Sequence, residues 1–214
     1  MTQNSIPSQD PANDNTLLGT LQTALTKYMQ GVDDMLPATV IAYDRATNVA
    51  TLQPQIMMVS TYGEKVARPH YASCPVFSYG GGGFCINFDI KAGDSGWIKA
   101  NDRDISLYVQ AAAEAHPNTK RTHSFRDAMF FPDVMKKYTL TDASSGMTIQ
   151  NLAGTTKLEM FESKIKMTVG ACTGVFDSSG LVITNGDIIA DGKSLKHHVH
   201  SGVQSGASNT GQPV

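Results

Sequence analysis

Residues 156–170, TKLEMFESKIKMTVG, alternate along their length. Leu158 and Met160 face one way and Lys157 and Glu159 the other. Past a slip at residues 161–163, Ile165, Met167 and Val169 oppose Lys164, Lys166 and Thr168. A slip of that kind calls for a bulge or a turn. The surrounding segment 139–214 holds ten Gly, two aromatics (Phe161 and Phe176), no Arg and a single Pro, Pro213. Such a composition cannot build a broad globular core. Turn punctuation is expected at Gly170, Gly174, 178–180, 185–186 and 191–192. Strands with one thin apolar face and no partner layer must bury that face against other chains. Three chains wound together would put every apolar face on a common axis and pair every edge. The expectation for 139–192 is an intertwined trimeric, triple-stranded β-helix or β-prism.

The chain continues as SLKHHVHSGVQSGASNTGQPV, residues 194–214. On an extended strand the imidazoles of His198 and His200 point to the same side, about 7 Å apart. One chain then supplies two ligands, too few to hold a divalent metal well. Three chains at a threefold axis supply an octahedral set; imidazole suits iron, nickel and zinc, the octahedron disfavours zinc's usual tetrahedron, and iron(II) is the ion expected ahead of nickel. Residues 193–214 are therefore read as a metal-binding apex with His198 and His200 as ligands and one iron ion per trimer. His197 should point away from them. His70, His116 and His123 are read as structural.

Upstream, LPATVIAYDRATNVATLQP (36–54) reads as two strands joined by a polar turn at 44–48. Further short strands are expected at 66–75, 84–88, 96–100 and 106–110. Five or so strands in about 80 residues fit a small barrel of the OB type over 36–115. The run Gly80 to Gly83 lacks the GK[ST] of a phosphate-binding loop and reads as a hairpin tip. Residues 116–138 are expected to be a connector leaving the barrel. Ahead of the barrel, 1–35 comprise a polar arm and an amphipathic helix. In that helix Leu17, Leu18, Leu21, Leu25, Tyr28, Met29, Val32 and Met35 recur at spacings of three and four, behind Thr16 as N-cap. The stripe suits either the chain's own barrel or sister helices. The fold class expected is thus mainly β: an N-terminal helix, an OB-fold barrel, then the trimeric β-helix and its metal-bound tip.

The 214 residues carry a net charge of −2, so there is no basic footprint for nucleic acid. No apolar run approaches ~18 residues, which excludes a spanning helix, and the polar N-terminus does not read as a signal peptide. Cys74, Cys85 and Cys172 form an odd set without CxxC spacing and read as reduced thiols in a protein made in the cytoplasm. HxH also opens the metal motif of cupin enzymes. Gln204 and Ser205 stand where a cupin Glu is expected, however, and no histidine follows His200. Asp102/Asp104 and Glu159/Glu162 are spaced like solvated strand faces, and Ser144–Ser145–Gly146 makes no GxSxG elbow. No catalytic constellation emerges, and the chain is read as a non-enzyme.

The tail resembles the SLKxHxHxGVxxGxxxTGxP ending of membrane-piercing central spikes from contractile-tail phage baseplates, the baseplate assembly V type. Ser194, Leu195, Lys196, His198, His200, Gly202, Val203, Gly206, Thr210, Gly211 and Pro213 carry the match. The segments LPATVIAYDRATNVATLQP, AGDSGWIKANDRDIS and RTHSFRDAMFFPDV resemble that family's OB domain and its exit. The tail departs from the family in having Ser201, Ser205, Ala207 and Ser208 where glycine is usual. The resemblance implies a homotrimer in the virion baseplate, made in the host cytoplasm. Its OB domain would attach to hub and tail-tube proteins. His198 and His200 of three chains would hold one iron, and sheath contraction would drive the spike through the host outer membrane. Two alternatives stand beside it: a spike of a related contractile secretion system, and an OB-type module binding glycan or protein, with Trp97 in contact and the tail only trimerising it.

Overall fold

The computed structural model describes residues 16–60, 62–135, 146–199, 202 and 206. The polar arm 1–15, residues 136–145 at the join of connector and β-helix, and most of the apex, including His200, lie outside the described residues. The chain divides into two compact units, 1–135 and 136–214.

The first unit opens with α1 (Leu17–Gln30), where the Thr16 side chain accepts from the Gly19 N–H at 3.0 Å, the cap its sequence announces. Then come β1 (Met35–Asp44), β2 (Val49–Pro54), β3 (Met58–Val59), β4 (Lys65–Val66), β5 (Tyr71–Pro75), β6 (Tyr79–Gly81), β7 (Phe84–Ile86), β8 (Ser95–Arg103), α2 (Ser106–Ala111) and β9 (Thr122–Pro132). Five of these strands form one antiparallel sheet in the order β5-β2-β1-β8-β9. Its two outer strands nearly meet. Val76, just past β5, bridges Phe130 of β9, and the Phe77 N–H donates to the Phe130 carbonyl at 2.8 Å. The result is a nearly closed barrel-like sheet.

Alternation explains its interior. Ala38 and Val40 of β1, Ala50 and Leu52 of β2, Ile98 and Ala100 of β8, and Phe125, Ala128 and Phe130 of β9 point inward with Cys74, Val76 and Ile90. Their outward neighbours are polar or half-buried. Burial pushes the Cys74 thiol up to about 12, and all three cysteines are free. The β1–β2 turn is built by Asp44, which accepts from the Ala46 N–H at 2.9 Å and the Thr47 hydroxyl at 2.8 Å. Asn48, at φ 54°, then donates to the Val76 carbonyl at 2.8 Å, tying this turn to the closing strand. The glycine run is a two-residue hairpin tip as expected: Gly81 pairs with Phe84, and Gly82 and Gly83 take φ of 60° and 86°.

Four expectations need correction here. Residues 106–110 are helix, not strand: the Asp104 carboxylate accepts from the Ser106 N–H at 3.0 Å and turns the chain into α2. The span 66–75 is two strands rather than one, interrupted around Pro69. Part of the connector, 122–132, is β9, paired with β8 from Gly96↔Pro132 to Arg103↔Thr122; the barrel sheet therefore runs on past residue 115. A bulge between Ala128 and Ser124 swings Phe125 into the core. There Phe125 meets Tyr71 edge-on at 5.5 Å, and its N–H donates to Asp33 Oδ2 at 3.0 Å. The same bulge buries Asp127 against Arg121, which grips both its carboxylate oxygens at 2.8 and 2.9 Å and reaches Asp104 at 3.0 Å. Asp104, expected on a solvated face, is 4% exposed.

The second unit is an antiparallel meander of β10 (Met147–Gln150), β11 (Thr156–Met160), β12 (Lys164–Val169), β13 (Cys172–Asp177) and β14 (Gly180–Thr184). It is followed by a small hairpin of β15 (Ile189–Ala190) and β16 (Lys193–Ser194). The slip at 161–163 is a turn, closed by the Phe161 N–H donating to the Lys164 carbonyl at 2.9 Å. Gly174 is not a turn residue: it sits inside β13, opposite Met167 and Ile183. Glu159 is not solvated either. It is fully buried, with Lys157 Nζ at 3.3 Å and Lys166 Nζ at 3.8 Å, a placement a carboxylate tolerates only when paired.

Candidate functional site

Register sorts the meander into two faces. Met147 pairs with Met160 and Ile149 with Leu158; Met160 continues to Ile165 and Phe176, and Leu158 to Met167 and Gly174. Phe176 and Gly174 then meet Leu181 and Ile183 on β14. One face is thus apolar across all five strands. The other carries Thr148, Lys157, Glu159, Lys164, Lys166, Thr168 and Thr173, with Val175 and Val182 among them. Within the chain, the apolar face is the open one: Met167 is 48%, Phe176 57% and Val169 64% exposed. An apolar sheet face of that extent marks an interaction surface.

Beyond β14 the chain enters the tip. Asp187 anchors it: Oδ1 accepts from the N–H groups of Ile188 at 2.8 Å and Lys196 at 3.1 Å, and Oδ2 accepts from the Ser194 hydroxyl. The Ser194 bond, foremost, and the two amide bonds hold the Asp187 carboxyl below its ordinary value of 3.8. Ser194 Oγ in turn accepts from the His197 N–H at 2.7 Å. The Leu195 N–H donates to the Ile188 carbonyl at 2.8 Å, and the His198 N–H to the Ser194 carbonyl at 3.0 Å. Residues 194–198 therefore form a single α-turn, where an extended strand was expected. His198 stands exposed at its end, and His197 is exposed as well.

The His198 ring is oriented by this turn. Its Nδ1 lies 2.9 Å from the Leu195 carbonyl and 3.1 Å from the Ser194 carbonyl. Carbonyl oxygens only accept, so Nδ1 carries a proton, and in the neutral ring the lone pair then sits on Nε2. A metal-ligating imidazole is held in the same way, by donating its other N–H to a carbonyl or carboxylate. The ring of His198 is thus held as a ligating imidazole would be. His200 lies outside the described residues, and among the described residues no group of three or more His, Cys, Asp or Glu is placed to hold a metal. Asp187 was missed as a site residue, and Ser194, though part of the matched tail, was given no role of its own. The sequence signal for Asp187 is its place in the Gly-punctuated stretch NGDIIADGKS.

Trp97, the candidate sugar contact, is half-buried on β8, and its indole N–H donates to Asp133 at 2.8 Å. His123 lies 3.2 Å from Asp102, in keeping with a structural role.

No curated protein matches the chain at a significant level. Residues 36–133 match the phage protein Gp138 N-terminal domain and residues 194–214 the GpV apex motif. The first match covers the barrel through β9. The second covers the turn that carries His198, and that motif is a metal-binding tip in spike proteins. Both families are structural proteins of the phage baseplate and spike. The two matches, one on the barrel and one on the tip, point to a phage baseplate spike protein of the GpV-like type, and phage baseplate proteins are virion components.

Proposed function

We propose that the chain acts as a homotrimeric central spike, driven through the host outer membrane when the tail sheath contracts. The observation that carries this reading is the open apolar face of the β10–β14 meander. Eight of its side chains, Met147, Ile149, Met160, Ile165, Met167, Val169, Phe176 and Leu181, are 37–64% exposed. Covering what remains of each contributes about 1 kcal/mol, from ~1.5–3 kcal/mol for full burial. Over three chains the total exceeds the ~4–15 kcal/mol that association costs. Strand β14 is the last of the five in the described sheet, and its outer edge is one that a sister chain would pair. A trimer wound on that face is narrow and offers no loose strand to axial load.

His198 and His200 of the three chains would hold one iron(II) ion, whose chemical contribution is to cross-link the three chain ends at the tip. The barrel would face the hub and tail-tube proteins. Sedimentation velocity on the full chain tests the assembly: an elongated trimer is expected, and a monomer or a compact globular species would overturn it. Gold-labelled antibody against the barrel should decorate the distal end of the tail in phage particles. Label confined to the capsid would overturn the assignment.

A further inference from the structure

We propose that Asp187 is the positioning residue of the tip, acting through Ser194 to keep the His198 ring proton on Nδ1 and its lone pair on Nε2. This rests on the reading of the tip as a metal site. The three hydrogen bonds of Asp187 go to Ile188, Lys196 and the Ser194 hydroxyl, so both carboxylate oxygens bind the 187–196 segment to itself. Ser194 passes that constraint on. Its Oγ fixes the His197 amide, and its carbonyl receives both the amide and the Nδ1–H of His198. The Leu195 carbonyl, the second Nδ1 acceptor, belongs to a residue whose own N–H is tied to Ile188. Both of these Nδ1 acceptors are therefore fixed by a bond from, or adjacent to, Asp187.

The physical consequence is preorganisation. An imidazole on a fraying chain end populates both neutral tautomers and many orientations, and a metal must select one at an entropic cost. Held by the clasp, His198 presents Nε2 in advance. Loss of such an outer partner lowers metal affinity by about 10–100-fold in metalloproteins. A carboxylate that merely shaped the turn would affect stability alone and leave the tautomer unchanged.

The test uses the full-length protein and ferrous iron. In metal-free protein, imidazole 15N shifts should show the Nδ1–H tautomer at His198, and Asp187→Ala should mix the tautomers. Iron affinity, read by competition with a chelator, should fall about 10–100-fold in Asp187→Ala. Asp187→Asn keeps an acceptor for the Ile188 and Lys196 amides and should stay within several-fold of the parent. If Asp187→Ala does not fold, Ser194→Ala, which leaves those two amide bonds in place, should mix the tautomers in its stead. Unchanged tautomer and unchanged affinity in the folded variants would overturn the proposal. Should the parent protein bind no iron, the metal reading fails instead, while the tautomer comparison still judges the role of Asp187.

Discussion

Met167 and Gly174 face each other at the centre of the meander, and the absence of a side chain at Gly174 lets Met167 and Ile183 close over it. A Cβ there would lie 3.2 Å from Ile183 Cδ1 and 3.6 Å from Met167 Cε. At the middle of the apolar face β13 thus contributes no side chain, and the neighbouring strands fill the space with Met167 and Ile183. Met167→Asp should abolish the trimer, because it would bring three carboxylates together in an apolar contact, a cost of several kcal/mol per ion. Thr184→Asp, on the opposite face, should leave assembly intact. Light scattering coupled to gel filtration checks both; a trimer with Asp at 167 would mean that this face is not the one buried.

The tip and the shaft should be separable. His198→Ala combined with His200→Ala is expected to remove the iron and loosen the last residues while leaving the trimer assembled, since the interface is supplied by the strands. Elemental analysis reads the metal and gel filtration the assembly. A monomeric double mutant would show that metal ligation, not the apolar face, holds the chains together.

Gly96 should be among the most sensitive positions of the barrel. A Cβ at Gly96 would collide with the Phe130 ring and with the Phe131 carbonyl oxygen, the latter a backbone atom that cannot swing aside. Gly96→Ala should therefore destabilise the barrel by about 1–3 kcal/mol or more. Gly81→Ala, which meets nothing within 4 Å, should change stability by less than ~0.5 kcal/mol. Trp97, the single tryptophan, lies beside Gly96, and its fluorescence during urea unfolding reads both variants. Equal midpoints would contradict the packing described for β8 and β9.

Acid should weaken the barrel through Asp104. Bonds from the Ser106 amide, foremost, with the Thr119 hydroxyl and the Arg121 charge, hold its carboxyl down to about 2, against an ordinary 3.8. A depressed carboxylate contributes stability that is fully present above its unfolded value, and loses it as pH falls toward the folded one. Stability should decline between about pH 4 and pH 2, and Asp104→Asn should flatten that decline. Parallel pH profiles for parent and variant would contradict this role.

The alternation of residues 156–170, the Thr16 cap, the 44–48 turn and the glycine hairpin tip were all legible, because each depends on neighbours within a few positions. What escaped depends on contacts made at a distance. In β9 the alternation of Phe125, Ala128 and Phe130 is broken by a bulge, so RTHSFRD reads as a polar connector. Residues 106–110 alternate like a strand, and only the Asp104 carboxylate turns them into helix. Gly174 reads as a turn because its reason for being glycine, room for Met167 and Ile183, comes from neighbouring strands. At the tip, His198 was singled out by the HxH pattern, though not the turn that carries it. Asp187 was not, since its link to Ser194 exists only after β15 and β16 fold back on each other.

Native mass spectrometry of the full-length protein, with elemental analysis of the same sample, tests the central claim most directly. The account predicts a trimer carrying one iron. A monomer carrying its own metal would contradict it, because the open apolar face and the two ligands of one chain would then need no sister chains at all.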